Sequence, residues 1–356
     1  MTTGQTSARR SGSATKPGPA AALARGVALV AVRERGGGQE QAAQMLCRAI
    51  NLSTSMPAQA LNLLEAAQAS GGLLKIVAQV LARRAPNAIH LIAPFLAGRL
   101  RCKSVVVFQG NGFFLIPWLH RRGHRVIAVC DAPQRPRGGL FGLREQALVP
   151  LMRRADVVVR TFDFRGPLSD APIVPNILAN FPAAPRPFQR APIRRLLYVG
   201  RLEANKGLPA FLKLAEQLPE LEFHVFGAGR FEGAVRKAEA RLANLTYHGF
   251  SRTWLDSAEG ACLLGCAPTE GCWTAGREAL LHGIPLLFIP SVGGGPQLYA
   301  RVTDKAVETP TLARADVLAA IARVERAAAA SREPLEALWR EHQPDRLAQA
   351  FASLCE

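Results

Sequence analysis

Two basic residues follow a predicted strand in the second half of the chain, at a spacing that suits binding of phosphate groups. The strand is predicted over Arg195–Val199, and the segment after it carries Arg201 and Lys206. Ligands of open α/β sheets bind at the carboxyl ends of the strands, where arginine and lysine can neutralise a pyrophosphate. A solvated loop between a strand and a helix is the alternative interpretation of the same residues.

Two glutamates eight positions apart form a second candidate group. Glu270 is predicted in a loop, and Glu278 in the first turns of a helix predicted over Gly276–His282. A carboxylate near a helix N-terminus is stabilised by the helix dipole and accepts hydrogen bonds from sugar hydroxyls. An ordinary acidic residue of an early helical turn would explain Glu278 equally well. Nearby glycines favour a tightly packed ligand loop, and they stand at Gly271, Gly276 and Gly283.

Three consecutive glycines, at 36–38, lie between a strand predicted over Gly26–Val32 and a helix predicted over Gln39–Ala49. Glycine lets the backbone approach a ligand, and the N-terminus of the following helix offers unpaired N–H groups to a phosphate. A simple tight turn would give the same sequence. Taken together, the three groups are placed as a nucleotide-diphosphate ligand requires.

Strands and helices alternate in the first half of the chain. Strands are also predicted over Val105–Phe108, Arg125–Val129 and Asp156–Arg160. Helices are predicted over Phe113–Arg122 and Leu143–Arg154, the second with a kink at Pro150, and the stretch Pro57–Arg84 is predicted to be mostly helical. Alternation of this kind predicts a parallel sheet that is covered by helices on both faces.

A second alternating series begins after a proline-rich segment. Its predicted strands are Arg195–Val199, Glu222–Phe226, Leu245–His248, Ala261–Cys266 and Leu286–Ile289, and its predicted helices are Leu208–Gln217, Phe231–Leu242, Gly276–His282, Leu312–Ala328 and Pro334–Phe351. The length of 356 residues suits two domains. We therefore predict a flexible basic tail (1–25), a first domain (26–180), a linker (181–192), a second domain (193–332) and a final helix (333–356) that crosses back to the first domain.

The charge of the chain is unevenly distributed. Its formal net charge is +17, and residues 1–190 hold 25 basic and 8 acidic residues, whereas residues 191–356 hold 19 of each. This distribution excludes a uniformly basic, histone-like protein. It also indicates that the two halves have different functions. The sequence has no recognisable nucleic-acid-binding motif, and its aromatic content is only 6 %. We expect no nucleic-acid partner.

The cysteines and the hydropathy pattern indicate a reduced, cytoplasmic protein. The seven cysteines are odd in number and show no CxxC spacing or zinc pattern, which favours buried free thiols. The apolar stretch after the basic N-terminus is interrupted by Arg25 and reads better as a first strand than as a signal peptide. No segment reaches the roughly 20 apolar residues that a membrane span needs.

Four sequence segments resemble one known enzyme family in order and spacing. The segments LLYVGRLEANKGL, FHVFGAGR, NLTYHGF and APTEGCWTAGREALLHGIPLLFIPSVGGGPQLY, which together span about residues 195–300, are similar to the carboxyl domain of family 4 retaining glycosyltransferases. A weaker resemblance in the first half covers the glycine loop, the strand at Asp156 and the VPN sequence at Val174–Asn176. The resemblance implies the α/β GT-B architecture, with two Rossmann-like, doubly wound domains that face a cleft.

The resemblance also implies roles for individual residues. Arg201 and Lys206 would bind the donor diphosphate and stabilise the leaving phosphate, which is the main electrostatic task of such a transfer. Glu278 would bind the donor ribose, and Glu270 would contact hydroxyls of the transferred sugar. Further donor contacts would come from the glycines Gly37, Gly38, Gly200, Gly227, Gly271 and Gly294. Because two cations are present and the chain has no Asp-x-Asp sequence, we expect that no cofactor and no catalytic metal is required.

The chain departs from the family pattern at three places. A histidine that the family often carries near the transferred sugar is absent, and Asp131 stands in the corresponding stretch as a candidate for part of that role. Cys272 and Trp273 replace the usual aromatic–glycine pair, and Gln297 stands where glutamate is common. These changes leave the identity of the donor sugar open. Neither His124 nor His282 is a convincing base, since both lie in turn-like positions.

The basic first half predicts an acceptor on an anionic membrane surface, for example a lipid-linked precursor of an envelope or exopolysaccharide at the inner face of a bacterial cytoplasmic membrane. Surface cations contribute about 1 kcal/mol each near anionic lipid. The candidate contacts are Arg121, Arg122, Arg125, Arg135, Arg137, Arg153 and Arg154. The alternatives are an arginine-rich surface without a membrane partner, a soluble enzyme that acts on a small molecule, such as a natural-product glycosyltransferase or a sugar-nucleotide epimerase, and a non-catalytic partner subunit.

Overall fold

The chain forms two parallel β-sheets, one from each half of the sequence, with helices after most strands. The structure is a computed structural model, and the residues that it describes are 26–31, 38–62, 100–108, 111–131, 148–163, 168–291, 294–327 and 332–356. Within these residues, no helix is both long enough and apolar enough to cross a lipid bilayer.

The first sheet has five strands in the order β2-β1-β3-β4-β5, and all neighbours are parallel. Its elements are β1 (Val27–Ala31), α1 (Gly38–Ser53), β2 (Ala58–Asn62), β3 (Ser104–Phe108), α2 (Ile116–Arg121), β4 (Arg125–Cys130) and β5 (Val157–Arg160). The central strand β3 is buried throughout, because valines on both of its faces pack beneath covering elements.

The second sheet has six strands in the order β11-β10-β9-β6-β7-β8, again all parallel. Its elements are β6 (Arg195–Val199), α3 (Leu208–Gln217), β7 (Glu222–Phe226), α4 (Glu232–Glu239), β8 (Leu245–Tyr247), β9 (Ala261–Gly265), α5 (Thr274–Leu281), β10 (Leu286–Phe288), α6 (Gly295–Ala300), β11 (Ala306–Glu308) and α7 (Arg314–Arg326). The chain winds outward from β6 in one direction and from β9 in the other.

This strand order determines where a ligand can enter each sheet. The winding direction reverses between β6 and β9 in the second sheet and between β1 and β3 in the first. Open α/β sheets bind their ligands outside the carboxyl ends of the strands at such a reversal, because the two flanking loops diverge there. The segments 200–207 and 266–273 occupy this position in the second sheet.

The elements that were predicted for the second sheet agree with the structure to within three residues at each boundary, but strand β11 and helix α6 were not predicted. One prediction in the first half is wrong. The stretch Pro57–Arg84 was expected to be mostly helical, whereas Ala58–Asn62 forms an edge strand that pairs in parallel with β1. Its alanine, glutamine and leucine residues favour a helix locally, and pairing with a buried strand overrides that preference. Residues 63–84 lie outside the described part of the chain, as do residues 143–147 of the helix predicted over Leu143–Arg154.

The helix predicted over Pro334–Phe351 is in fact two helices, α8 (Arg332–Glu341) and α9 (Pro344–Cys355). Pro344 cannot continue a helix from the preceding turn but suits the first position of a new one, so the chain bends between them. Helix α9 packs against α1 of the first half, and Leu347, Phe351 and Cys355 join the core around the first sheet. The segment 181–192 contains no helix or strand and connects the two halves.

Candidate functional site

The loop that follows β6 carries two cations on a tightly held backbone. Gly207 ends the short 3-10 turn that contains Lys206; it has φ +75°, and a Cβ there would lie 2.0 Å from the carbonyl oxygen of Cys266. Gly227, after β7, approaches Gly200 so closely that a Cβ would lie 1.8 Å from its carbonyl oxygen. Glycine is therefore required at these positions by contact between neighbouring loops.

Arg201 is held through its backbone, and its side chain remains partly exposed. The hydroxyl of Tyr198 donates to the carbonyl oxygen of Arg201 at 2.7 Å, and burial raises the pKa of that tyrosine, so the phenol stays protonated as the donor. Nη1 of Arg201 lies 3.2 Å from Oε1 of Glu203, and about a third of the arginine side chain is exposed. The backbone of Arg201 is thus held in place, while its guanidinium remains partly accessible.

Lys206 and Glu270 form an ion pair across the two loops at the winding reversal. Their Nζ and Oε2 atoms are 2.7 Å apart, and both side chains are largely covered. The backbone N–H of Glu270 donates to Oγ of Ser291 at 2.7 Å, which fixes the start of the 270–273 loop. The sequence-predicted Arg201, Lys206 and Glu270 are therefore brought to the same edge of the second sheet.

A second glycine segment, Gly294–Gly295, packs against the 270–273 loop. Gly294 has φ +76° and precedes α6, and a Cβ on Gly295 would lie 1.4 Å from the carbonyl oxygen of Gly271. The hydroxyl of Tyr299 donates to the carbonyl oxygen of Cys272 at 2.6 Å. Gly295 thus lies directly against Gly271, and Gly294 precedes it at the start of α6. Gly293 lies outside the described residues.

Trp273 occupies a strained position at the start of α5. Among the described residues it is the one non-glycine residue with positive φ, at 35°. Its indole is buried, and Cβ atoms on Gly265 or Gly276 would approach it to 2.9 Å and 2.6 Å. Small residues around the indole therefore make room for a tryptophan in a backbone conformation that normally suits glycine. The burial of the indole offsets the cost of this strained conformation. Cys272 is buried beside it and joins the core of the first half.

Glu278 is buried, and its carboxylate is hydrogen-bonded within the protein. Its carboxylate is 5 % exposed; Oε1 accepts from the backbone N–H groups of Ala179 and Asn180 at 2.9 Å and 3.1 Å, and Oε2 accepts from Nδ2 of Asn180 at 2.9 Å. Burial raises its pKa, and these hydrogen bonds oppose the rise. Helix α5 turns Glu278 toward the interior, where it holds the segment that leads into the linker.

Asp131 lies at the carboxyl end of β4, where the first sheet meets the 270–273 loop. Its Oδ1 accepts a hydrogen bond from Nδ2 of Asn176 at 3.1 Å, and the same amide nitrogen lies 3.9 Å from Sγ of Cys272. Burial raises the pKa of Asp131, while Asn176, Thr161 and Arg277 oppose that rise. The carboxylate is therefore at the junction of the two sheets, on the side of the predicted donor loop.

The predicted basic surface is only partly as expected. Arg121, Arg122, Arg153 and Arg154 are exposed, and Trp118 is 44 % exposed, with the Arg121 guanidinium 5.2 Å from the centre of its ring. Arg125 is a correction, because it is partly buried and its Nε donates to the carbonyl oxygen of Leu354 at 2.9 Å. It holds the end of α9 in place and does not belong to an open surface. Arg135, Arg137 and Gly37 lie outside the described residues, and Gly38 is the first residue of α1.

Several residues of this region were not singled out from the sequence. Asn176 has a sequence signal only as part of the VPN segment, and Tyr198 and Ser291 carry no chemistry that distinguishes them from ordinary polar residues. Arg277 did have a signal, because it is a charged residue in the otherwise mostly apolar segment GREALL. His124 and His282 are structural as expected, with ring nitrogens 2.7 Å and 3.0 Å from the backbone oxygens of Cys102 and Asn180. No group of three metal-ligating side chains occurs among the described residues.

Comparison with known proteins gives matches to solved structures alone. No family model and no curated protein sequence matches the chain. Anabaena HepE in complex with UDP and glucose matches with a TM-score of 0.65 and 13 % identity over 92 % of this chain and 98 % of that one. Trehalose-6-phosphate synthase OtsA matches with a TM-score of 0.62 and 14 % identity over 92 % and 98 %.

A third neighbour is TarM of S. aureus, with a TM-score of 0.57 and 13 % identity over 75 % of this chain. This chain spans 58 % of the length of that TarM structure. The two parallel sheets and these neighbours decide the fold. The chain has the GT-B fold, with two Rossmann-like domains. Identities this low establish the architecture, and the chemistry has to be argued from the residues.

Proposed function

We propose that this chain is a retaining glycosyltransferase that moves a sugar from a nucleotide-diphosphate sugar to a hydroxyl acceptor. One observation carries the proposal: Lys206 and Glu270 meet at the winding reversal of the second sheet, and Arg201 lies on the same loop as Lys206. A diphosphate needs the cations, and sugar hydroxyls need the carboxylate. The cations and the carboxylate both lie at the carboxyl ends of β6 and β9, which is where open α/β sheets bind ligands.

In the proposed reaction, Arg201 and Lys206 neutralise the charge that develops on the leaving diphosphate. The acceptor hydroxyl attacks on the face from which the diphosphate departs, and the departing phosphate takes the hydroxyl proton, so the configuration of the sugar is retained. Glu270 accepts hydrogen bonds from the sugar, and Asp131 lies across the junction to contact the sugar or the acceptor. Two fixed cations supply the positive charge, so we propose that no metal is required.

A UDP-sugar is the first donor to test. Structures of Anabaena HepE contain UDP, UDP with glucose, or UDP-glucose, and OtsA is a trehalose-6-phosphate synthase. These ligands belong to those proteins, and they guide the choice of donor here. We leave Glu278 out of the proposed donor site, because it is 5 % exposed and its carboxylate already accepts hydrogen bonds from Ala179 and Asn180.

For the acceptor, we propose a lipid-linked sugar presented at an anionic membrane surface by the first half of the chain. The exposed Trp118 and the neighbouring Arg121 and Arg122 combine an interfacial aromatic ring with cations, which suits the boundary between lipid headgroups and acyl chains. Peripheral attachment at the inner face of the cytoplasmic membrane follows from this proposal, and so does a role in polysaccharide assembly. A soluble acceptor would make the same surface irrelevant to activity.

The experiment that tests the function is a transfer assay with UDP-, GDP- and ADP-sugars, run with and without acceptor and with and without EDTA. We expect one donor class to release its nucleoside diphosphate, activity to survive EDTA, and Arg201→Ala and Glu270→Gln to lose most of it. Arg241→Ala is the matched control, since Arg241 is exposed at the opposite edge of the second sheet. Epimerised donor without acceptor would identify an epimerase, and absence of both reactions would identify a non-catalytic subunit.

A further inference from the structure

The chain has three tyrosines, and the hydroxyl of each donates to a backbone carbonyl oxygen in a loop of the second half. The pairs of donor and acceptor are Tyr198 and Arg201 at 2.7 Å, Tyr247 and Gly227 at 3.0 Å, and Tyr299 and Cys272 at 2.6 Å. The three acceptors lie in the loops that follow β6, β7 and β9, which are neighbouring strands of the second sheet. All three hydroxyls therefore act at the carboxyl edge of this sheet, around its winding reversal.

The tyrosines reach this edge from three separate elements. Tyr198 belongs to β6, Tyr247 ends β8, and Tyr299 lies in α6. Tyr198 and Tyr299 are buried, and burial raises the pKa values of both phenols, so each keeps the proton that it donates. The oxygen of Tyr299 also lies 3.1 Å from the carbonyl oxygen of Trp273, so it faces two successive carbonyls of the 270–273 loop.

Packing alone does not require these hydroxyls. The ring of Tyr198 packs against Phe211 with centroids 5.4 Å apart, and the ring of Tyr299 packs against Trp273 at 6.0 Å. Phenylalanine would make the same ring contacts, and the chain has 16 phenylalanines against 3 tyrosines. A buried hydroxyl costs desolvation that only its hydrogen bond offsets. What the tyrosines add is therefore a fixed loop backbone at the acceptor carbonyl.

We propose that Tyr198 and Tyr299 are positioning residues, whose hydroxyls hold the two loops that carry Arg201, Lys206 and Glu270 in the arrangement that binds the donor. The inference rests on the proposed function, because a fixed loop matters for transfer only if the loop contacts the nucleotide-sugar. A ligand that meets loops already in place does not lose affinity to ordering them.

Tyr247 has the same kind of contact with Gly227 but is less suited to a test. It is only half-buried, the Arg236 guanidinium lies 5.0 Å from the centre of its ring, and Glu232 also interacts with its hydroxyl. Loss of this hydroxyl would therefore change several interactions at once. Tyr198 and Tyr299 give the cleaner variants.

The test compares UDP binding with sugar transfer in Tyr198→Phe and Tyr299→Phe, which lose one oxygen each and keep the ring. Tyr198→Phe loosens the loop with the two cations, so we expect the Kd for UDP and the KM for the donor to rise about three- to tenfold. Tyr299→Phe loosens the loop with Glu270, so we expect kcat to fall about three- to tenfold while UDP binds as in the wild type. A merely structural role would not divide the two effects in this way.

Thr309→Val is the matched control. Thr309 is buried, and its hydroxyl donates to the carbonyl oxygen of Thr311 at 2.8 Å, but it follows β11, the outermost strand of the sheet. This variant also removes one buried hydroxyl–carbonyl bond and keeps the shape of the side chain. We expect it to lose thermal stability as the tyrosine variants do, with the Kd, KM and kcat of the wild type. Equal changes of these constants in all three variants would show general destabilisation and would overturn the inference.

A second measurement does not depend on activity. Backbone hydrogen exchange of the ligand-free proteins, followed by mass spectrometry of peptides, reports the local opening of each loop. We expect faster exchange over residues 200–207 in Tyr198→Phe and over residues 270–276 in Tyr299→Phe, and wild-type exchange of both segments in Thr309→Val.

The two measurements separate failure of this inference from failure of the proposed function. An active wild type whose tyrosine variants keep its binding and kinetic constants refutes the positioning role and leaves the function intact, whether or not their loops exchange faster. A wild type that binds none of UDP, GDP and ADP refutes the function, and the exchange data then decide whether the hydroxyls hold the loops. Unchanged exchange in both tyrosine variants would refute that as well.

Discussion

Nζ of Lys206 lies 2.7 Å from Oε2 of Glu270, so a cation and an anion neutralise each other across the two loops at the winding reversal of the second sheet. Both side chains are largely covered, which makes the attraction stronger than it would be in water. A diphosphate that binds Lys206 must therefore compete with Glu270. In the proposed reaction, that competition would free Glu270 to accept hydrogen bonds from the sugar.

Replacement of Glu270 should separate binding of the nucleotide from transfer of the sugar. In Glu270→Gln, Lys206 loses its anionic partner, so we expect UDP alone to bind as tightly as in the wild type or up to about tenfold more tightly. The sugar loses its carboxylate, and kcat/KM for transfer should fall by about 100-fold. Calorimetric titration and the transfer assay measure the two effects. Weaker UDP binding together with normal transfer would contradict this account of the pair.

Glu278 should contribute to stability and not to donor binding. Glu278→Ala leaves the backbone N–H groups of Ala179 and Asn180 without their acceptor, which should destabilise the protein by about 2–4 kcal/mol. Glu278→Gln keeps one acceptor oxygen and should cost less. Chemical denaturation gives the free energies of unfolding, and calorimetry gives the donor affinity. If Glu278→Gln weakens donor binding while its stability is unchanged, the ribose role implied by the family resemblance is correct and our placement is wrong.

Trp273 offers a test of strain against packing. Trp273→Gly removes the cost of a positive φ on a large residue, about 1–3 kcal/mol, and also removes a buried indole, which costs about 3–5 kcal/mol. We therefore expect a net loss of stability. Gly276→Ala should also destabilise, because its Cβ would meet the indole at 2.6 Å. In the double variant the clash is absent, so the two effects should be less than additive in denaturant melts.

The exposed Trp118 and the adjacent arginines predict salt-sensitive membrane binding. Arg121→Glu with Arg122→Glu should reduce flotation with vesicles that contain anionic lipid by at least tenfold, and Trp118→Ala should reduce it by a smaller factor. Arg241→Glu, at the far edge of the second sheet, is the control and should float like the wild type. Binding that ignores salt and lipid charge would refute a membrane role for this surface.

The second sheet could be predicted closely from the sequence because its strands are short apolar runs that end at glycine or at polar residues. Arg195–Val199 and Glu222–Phe226 coincide with β6 and β7. In the first half, Ala58–Asn62 has the composition of a helix, and only pairing with β1 makes it a strand. Such a pairing joins residues that are far apart in the sequence, so local preference does not reveal it.

The candidate site shows the same division. The spacing of Arg201 and Lys206 after a strand placed both on the loop that follows β6. Glu270 lies near them because parallel strands end at a common edge. The eight-residue spacing from Glu270 put Glu278 on a helix but did not determine which neighbours its side chain meets. Arg277, one position earlier, gave a signal as a charge among apolar residues, but its partners Thr161 and His342 are set by the packing of the two halves.

The central claim is that Lys206 holds the diphosphate of a nucleotide-sugar, and a calorimetric titration of UDP, GDP and ADP tests it most directly. We expect one nucleotide to bind the wild type and Arg241→Met equally well. The same nucleotide should bind Lys206→Met about 10- to 100-fold more weakly, since a hydrogen bond to a charged group contributes about 1.5–3 kcal/mol. Equal affinity of Lys206→Met and the wild type, or the same loss in Arg241→Met, would contradict a diphosphate site at this edge.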